Sequence, residues 1–183
     1  MNTIDNDLQR LFTELKLQSS HADGRIYGTG MWESWHQLAD AQYQPAKEFF
    51  IEKLESPRFD WRRESVSLLG FHYELENEVL EKIHYLLIHD PDEVVRMACA
   101  AVLGKQGHLP EKTLIHALAL DPDKDVRKSA FFALLDLARL PYKTRLKELK
   151  KVESGEITPS LDQVRRILSD ENLLDSLNLL NEK

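Results

Sequence analysis

One cysteine, Cys99, is all the thiol chemistry that this 183-residue chain has. No internal disulfide can form, and a reducing, cytoplasmic setting is the natural expectation. No apolar run approaches the roughly 20 residues that a membrane-spanning helix needs. The first residues, Met-Asn-Thr-Ile-Asp-Asn-Asp, have neither the basic nor the apolar region of a secretory leader. Basic residues are outnumbered, 24 Lys and Arg against 31 Asp and Glu, for a formal net charge of −7. That balance argues against a dedicated nucleic-acid binder. The seven histidines show no His-Glu-x-x-His or comparable zinc spacing and lack cysteine partners, so no metal is expected. Residues 24–30, Gly-Arg-Ile-Tyr-Gly-Thr-Gly, are glycine-rich. They lack the Lys-Ser/Thr of a phosphate loop and follow no predicted strand, so a connection is expected there, with a partner-contacting loop as the alternative.

What the chain does have is a 42% hydrophobic, 30% charged composition, which suits one globular domain over 1–183 with a sizeable core. Its seven prolines read as helix openers. Pro57, Pro91, Pro122 and Pro159 follow Ser56, Asp90, Asp121 and Thr158, which are expected as N-caps, with Glu93 completing a capping box on Asp90. Gly70, Gly104, Gly107 and Gly155 fall where helices are expected to stop. Arg62, Arg96 and Arg127 stand 34 and 31 residues apart. A period in that range signals a solenoid of helix pairs. The expected pairs are 45–55 with 58–71, 76–89 with 92–105, 110–120 with 123–138 and, more weakly, 141–153 with 159–169. An N-terminal cap (1–44) is expected to hold helices at 6–17 and 31–41, joined by a loop over 18–30. A last short helix is expected over 172–180, within a C-terminal tail from 170.

Apolar residues recur at helical spacing inside the second helices. Val95, Cys99, Val102 and Leu103 align with Trp61, Ser65, Leu68 and Leu69, and with Val126, Ala130, Ala133 and Leu134. The segment Asp90-Pro-Asp-Glu-Val-Val-Arg-Met-Ala-Cys-Ala-Ala-Val-Leu-Gly104 resembles the HEAT-like repeat, in the short form found in phycobilisome lyases and many bacterial proteins. The resemblance continues over 121–135 and 56–70, faintly over 158–168, and covers roughly 45–170. It implies an all-α fold: a right-handed α-solenoid of about four helix pairs, first helices on the convex face and second helices lining the concave one. It also implies an interaction scaffold, since what such proteins share is a surface and not a reaction.

Residues that the motif leaves free carry the functional expectation. Two and six positions after the motif's Val, a second helix faces the concave groove. Those positions hold Arg63 and Ser67, Met97 and Ala101, and Lys128 and Phe132, with Phe71 and Lys105 beside them. Apolar Met97 and Phe132 with a rim of Arg63, Lys105 and Lys128 suit an amphipathic or acidic peptide. The competing expectation is that the next repeat covers Phe132. Lys143, Lys147 and Lys150 share one face of 141–153 and form a possible contact for phosphate or an acidic partner, with Tyr142, Leu146 and Leu149 expected to face the core. The Arg62, Arg96 and Arg127 ladder repeats with the scaffold and is expected to be structural. Cys99 occupies a position that is Ser65 and Ala130 elsewhere, so a small core residue is expected there rather than a nucleophile.

The expectation is a non-enzymatic module, needing no cofactor and with no catalytic residue, that grips a protein or peptide partner as a monomer or weak homodimer. The end leucines, Leu173, Leu174, Leu177, Leu179 and Leu180, would either cap the core or form the dimer contact. The alternative is a bilin-handling protein of the phycobilisome-lyase type, or another cofactor- or nucleic-acid-modifying protein on the same scaffold.

Overall fold

The structure, a computed structural model, describes residues 3–19, 29–106 and 111–177. Ten α-helices run along them: α1 (Thr3–Ser19), α2 (Thr29–Asp40), α3 (Gln44–Lys53), α4 (Phe59–His72), α5 (Asn77–His89), α6 (Glu93–Gln106), α7 (Glu111–Leu120), α8 (Lys124–Leu137), α9 (Tyr142–Glu153) and α10 (Leu161–Asp170). No strand occurs among the described residues. The helix pairs lie within about two residues of their expected bounds. The loop expected over 18–30 is shorter at both ends, because residues 18–19 belong to α1 and 29–30 to α2. The glycine-rich stretch between them, Gly107, Pro110 and residues 178–180 lie outside the described residues. The described part of the expected last helix is only a 3-10 turn, Leu174–Ser176. Leu177, just after it, is buried against the core.

The Asp-Pro-Asp turns work differently from the sequence expectation. Asp90 and Asp121 do not cap helices. Their carboxylates accept from the N–H of Asp92 and Asp123, each at 2.9 Å, closing a turn across the proline. The second aspartate is the cap. Asp123 accepts from the Asp125 and Val126 N–H groups at 2.8 and 3.0 Å, and Asp92 from that of Val94 at 3.0 Å. These two N–H bonds, that of Val126 foremost, hold the Asp123 carboxyl below its ordinary pKa. Pro91 and Pro122 therefore stand one residue before the cap, and the expected Asp90–Glu93 capping box is replaced by this double turn. Thr158-Pro159-Ser160 follows the same grammar, with Ser160 accepting from the Gln163 N–H at 3.3 Å. At α4 the cap position is Arg58, without a capping side chain, and Ser56 only closes the preceding turn.

Four residues beyond the caps of α4, α6 and α8, an arginine reaches back to the turn. Arg62 donates to the Ser56 carbonyl at 2.8 Å, Arg96 to that of Asp90 at 2.9 Å and Arg127 to that of Asp121 at 2.7 Å. Arg96 also reaches forward: its Nε and Nη2 bind both Asp121 oxygens at 2.8 and 3.0 Å. One guanidinium thus joins two successive turns, and the two side chains are only 10% and 5% exposed. The Asp121 hydrogen bonds hold the Arg96 pKa above its ordinary value, so the bridge stays charged.

Contacts gather the chain into two compact units, Met1–Val79 and Leu80–Lys183. In the first, α3 packs on α4, and α2 packs on α1, α3 and α4. Its core is aromatic. Trp35 and Trp61 lie 4.7 Å apart, and Phe49 meets Phe12, Phe50 and Trp61 edge-on at 6.0, 5.9 and 5.7 Å. Lys47 is buried there, donating to the Glu74 carbonyl at 3.0 Å and to the Glu76 carboxylate at 2.7 Å. The Glu76 carboxyl is held below its usual range by that bond. Burial pushes the nearby Tyr73 hydroxyl up to about 12.

In the second unit α8 packs on α6 and α7, while α10 lies against α7 and α8. Two glycines expected to end helices lie inside them instead: Gly70 in α4 and Gly104 in α6. At Gly104 the reason is steric. A Cβ there would lie 2.6 Å from the Ala133 Cα and 2.9 Å from its carbonyl oxygen. The bare backbone lets α6 and α8 touch. Gly155 does end a helix, in the left-handed region at φ 75° just past α9.

Two measurements check these contacts. Gly104→Ala is expected to lose about 1–3 kcal/mol in urea unfolding, because the obstacle is backbone and cannot swing aside. Asp121→Ala is expected to lose about 3 kcal/mol or more, since it strands a buried guanidinium. In the double-mutant cycle, adding Arg96→Ala should cost far less than the two single losses summed.

Candidate partner-binding surface

On α6 the residues Val95, Arg96, Cys99, Ala100, Val102, Leu103 and Gly104 are buried. Among the residues left is a stripe at i, i+4, i+8: Met97 half-buried, Ala101 and Lys105 exposed. On α8 the buried set is Val126, Ala130, Phe131, Ala133, Leu134 and Leu135. The corresponding stripe is Lys128, Phe132 and Asp136, all half-buried. The close approach at Gly104 and Ala133 sets these two helices side by side. In the repeat, Met97 corresponds to Lys128 and Ala101 to Phe132. Three of these residues, Met97, Ala101 and Phe132, are uncharged.

Phe132 is not sealed by the following helices. Its ring meets Phe131 edge-on, centroids 5.2 Å apart, and part of it stays in solvent. Phe131, which the sequence alignment passed over, is the residue that fills the core, at 0% exposure. Asp136, also passed over, binds the Arg145 guanidinium and so ties α8 to α9. A carboxylate next to an arginine nine residues on, across a turn, was the signal available for it.

In the first unit the equivalent stripe on α4 is Arg63, Ser67 and Phe71. Arg63 pairs with its neighbour Glu64, Ser67 is half-buried, and Phe71 is 45% exposed. Of the basic set, Lys143, Lys147 and Lys150 are all exposed on α9. Tyr142 and Leu146 do not face the core as expected. They are 64% and 37% exposed, and Leu149 is only half-buried. The buried residue of α9 is Glu148, which takes the Lys151 ammonium at 2.7 Å. So polar a helix has too few apolar residues to be drawn inward.

Other titratable groups are tied into the scaffold. His84 bonds Thr113 across α5 and α7 at 2.9 Å, and burial lowers its pKa. Cys99 is buried at 0% exposure. Among the described residues no group of His, Cys, Asp and Glu side chains is arranged to hold a metal ion. None of their helices is long and apolar enough to cross a membrane.

Helix pairs started by a shared turn, with a partly exposed side-chain stripe on α4, α6 and α8, define a helical repeat protein. Residues 48–135, from α3 to α8, match the family model for HEAT repeats, and the chain is a HEAT-like repeat protein. Such repeats are stacked helix pairs that build a solenoid and commonly serve as protein-interaction scaffolds. No curated protein matches the chain.

Phe131→Ala is expected to cost about 3–5 kcal/mol in chemical denaturation, and Phe132→Ala less than half as much. An equal loss at both positions would make Phe132 a core residue and remove it from the surface.

Proposed function

We propose that this chain is a non-enzymatic interaction protein that grips a partner polypeptide on the α6–α8 face of its Leu80–Lys183 unit. Met97, Ala101 and Phe132 are the apolar centre, with Lys105 and Lys128 at the rim. One observation carries the reading: an aromatic ring and a methionine stay partly in solvent at positions that the repeat does not need for stacking. Partly buried aromatics surrounded by polar rims are the residues on which interface energy concentrates. Methionine adapts its shape to a partner at low cost. The basic rim suits a segment with acidic flanks, and electrostatic attraction at a rim speeds encounter. Cytoplasmic action as a monomer or weak dimer fits the single buried cysteine and the burial of Leu177.

A photo-crosslinking residue at Ala101, introduced in the source cells, tests this. The expected result is a discrete adduct identified by mass spectrometry, absent when the crosslinker stands at exposed Lys124. With that partner purified, Phe132→Ala is expected to weaken binding by about 2 kcal/mol, roughly 30-fold in Kd. Undiminished binding by both Phe132→Ala and Met97→Ala would sink the reading.

A further inference from the structure

Away from the α6–α8 face, α9 carries the chain's densest positive charge. From Arg139 to Lys151 there are six cations and one carboxylate, Glu148. The net charge of −7 is therefore borne entirely by the rest of the chain. Two of the six cations are neutralised locally. Arg145 binds Asp136 and lies over the Tyr142 ring, 5.5 Å from its centroid, and Lys151 binds Glu148. Lys143, Lys147 and Lys150 are exposed, and among the described residues none has a carboxylate within ion-pair distance. At about 100° per residue these three share one side of the helix, roughly 140° wide, with the exposed Tyr142 and Leu146. An open groove of about 590 Å³ runs along that side, lined by the three lysines and Leu146 and, toward the C-terminal turn, by Lys151 and Glu156.

We propose that this groove is a second docking site, and that its occupant is an acidic amphipathic helix of a partner protein. Spacing is the first reason. The lysines spread over about 10 Å of helix axis, further than one phosphate spans and in step with carboxylates at i, i+4 and i+7 of a facing helix. Tyr142 and Leu146 are the second. They form an apolar strip along one edge of the lysine row, which asks for apolar side chains next to the acids. A phosphate backbone offers none. Field is the third. Lys150 and Lys151 sit in the last turn of α9, where the helix end is itself partly negative, so a single point anion there gains less than a row of carboxylates along the side. A nucleic acid would also meet the acidic excess of the remaining chain. Nothing in this inference depends on the α6–α8 face.

The test uses the full chain and a dye-labelled helical peptide of about 18 residues with leucines at i, i+4 and i+7 and glutamates beside them. Fluorescence anisotropy should show saturable binding that weakens as salt rises. The triple variant Lys143→Ala, Lys147→Ala, Lys150→Ala is expected to lose about tenfold or more in affinity. Leu146→Gln is expected to lose about threefold at low and high salt alike. Lys124→Ala should leave binding unchanged. These lysines and Leu146 are exposed, so circular dichroism should show every variant folded. Any of three results overturns the proposal: no saturable binding up to about 1 mM peptide, full binding by the folded triple variant, or tighter binding of a labelled oligothymidylate than of the peptide. Loss of peptide binding in Phe132→Ala would place the peptide on the other face and overturn it too.

Discussion

The second unit depends on one guanidinium. Arg96 holds the carbonyl of its own turn and both carboxylate oxygens of the next. Each Asp-Pro-Asp turn would otherwise bury acceptors without donors, and an unpaired buried polar group is costly. The arrangement has a direction. A repeat offers its first aspartate backward and its arginine forward. At Arg127 the sequence breaks the series, because Thr158 stands where the next aspartate would be. Arg127 accordingly bonds only the carbonyls of Asp121 and Pro122. Beyond that point the regular stacking ends: α10 packs across α7 and α8, and α9 is held by polar contacts such as Arg145 to Asp136 and Thr144 to Glu171.

Much of this was readable in the sequence, and the misreadings have physical causes. The repeat period, the helix pairs and the buried stripes followed from spacing, because stacking imposes the same demand on every repeat. The open positions Met97, Ala101 and Phe132 followed from subtracting those demands. The caps were placed two residues early because Asp-Pro-Asp offers two carboxylates, and only geometry says which one closes the turn and which caps the helix. Gly104 passed for a stop signal because glycine answers two needs, a left-handed backbone and a close approach, and sequence does not distinguish them. Tyr142 and Leu146 were assigned to the core because periodicity reveals an apolar strip and not whether anything packs on it.

The two candidate surfaces of the second unit differ in kind. On the α6–α8 face the scaffold leaves apolar groups partly uncovered between charged ones, as a by-product of helices held close by Gly104. On α9 the uncovered groups arise because the helix is too polar to be pulled inward. The first kind rests on shape fixed by the core, and the second on charge carried by mobile lysine stems.

The tryptophan pair of the first unit has a consequence for how the molecule can be watched. All three tryptophans of the chain, Trp32, Trp35 and Trp61, precede residue 80, and Trp35 stacks near Trp61 in a buried cluster. The Leu80–Lys183 unit has only tyrosine and phenylalanine chromophores. Indole emission is therefore a label built into one unit alone, while helical dichroism sums over both. Read together, the two signals separate events in the tryptophan unit from events in the unit that carries Phe132 and the α9 lysines, with no dye attached.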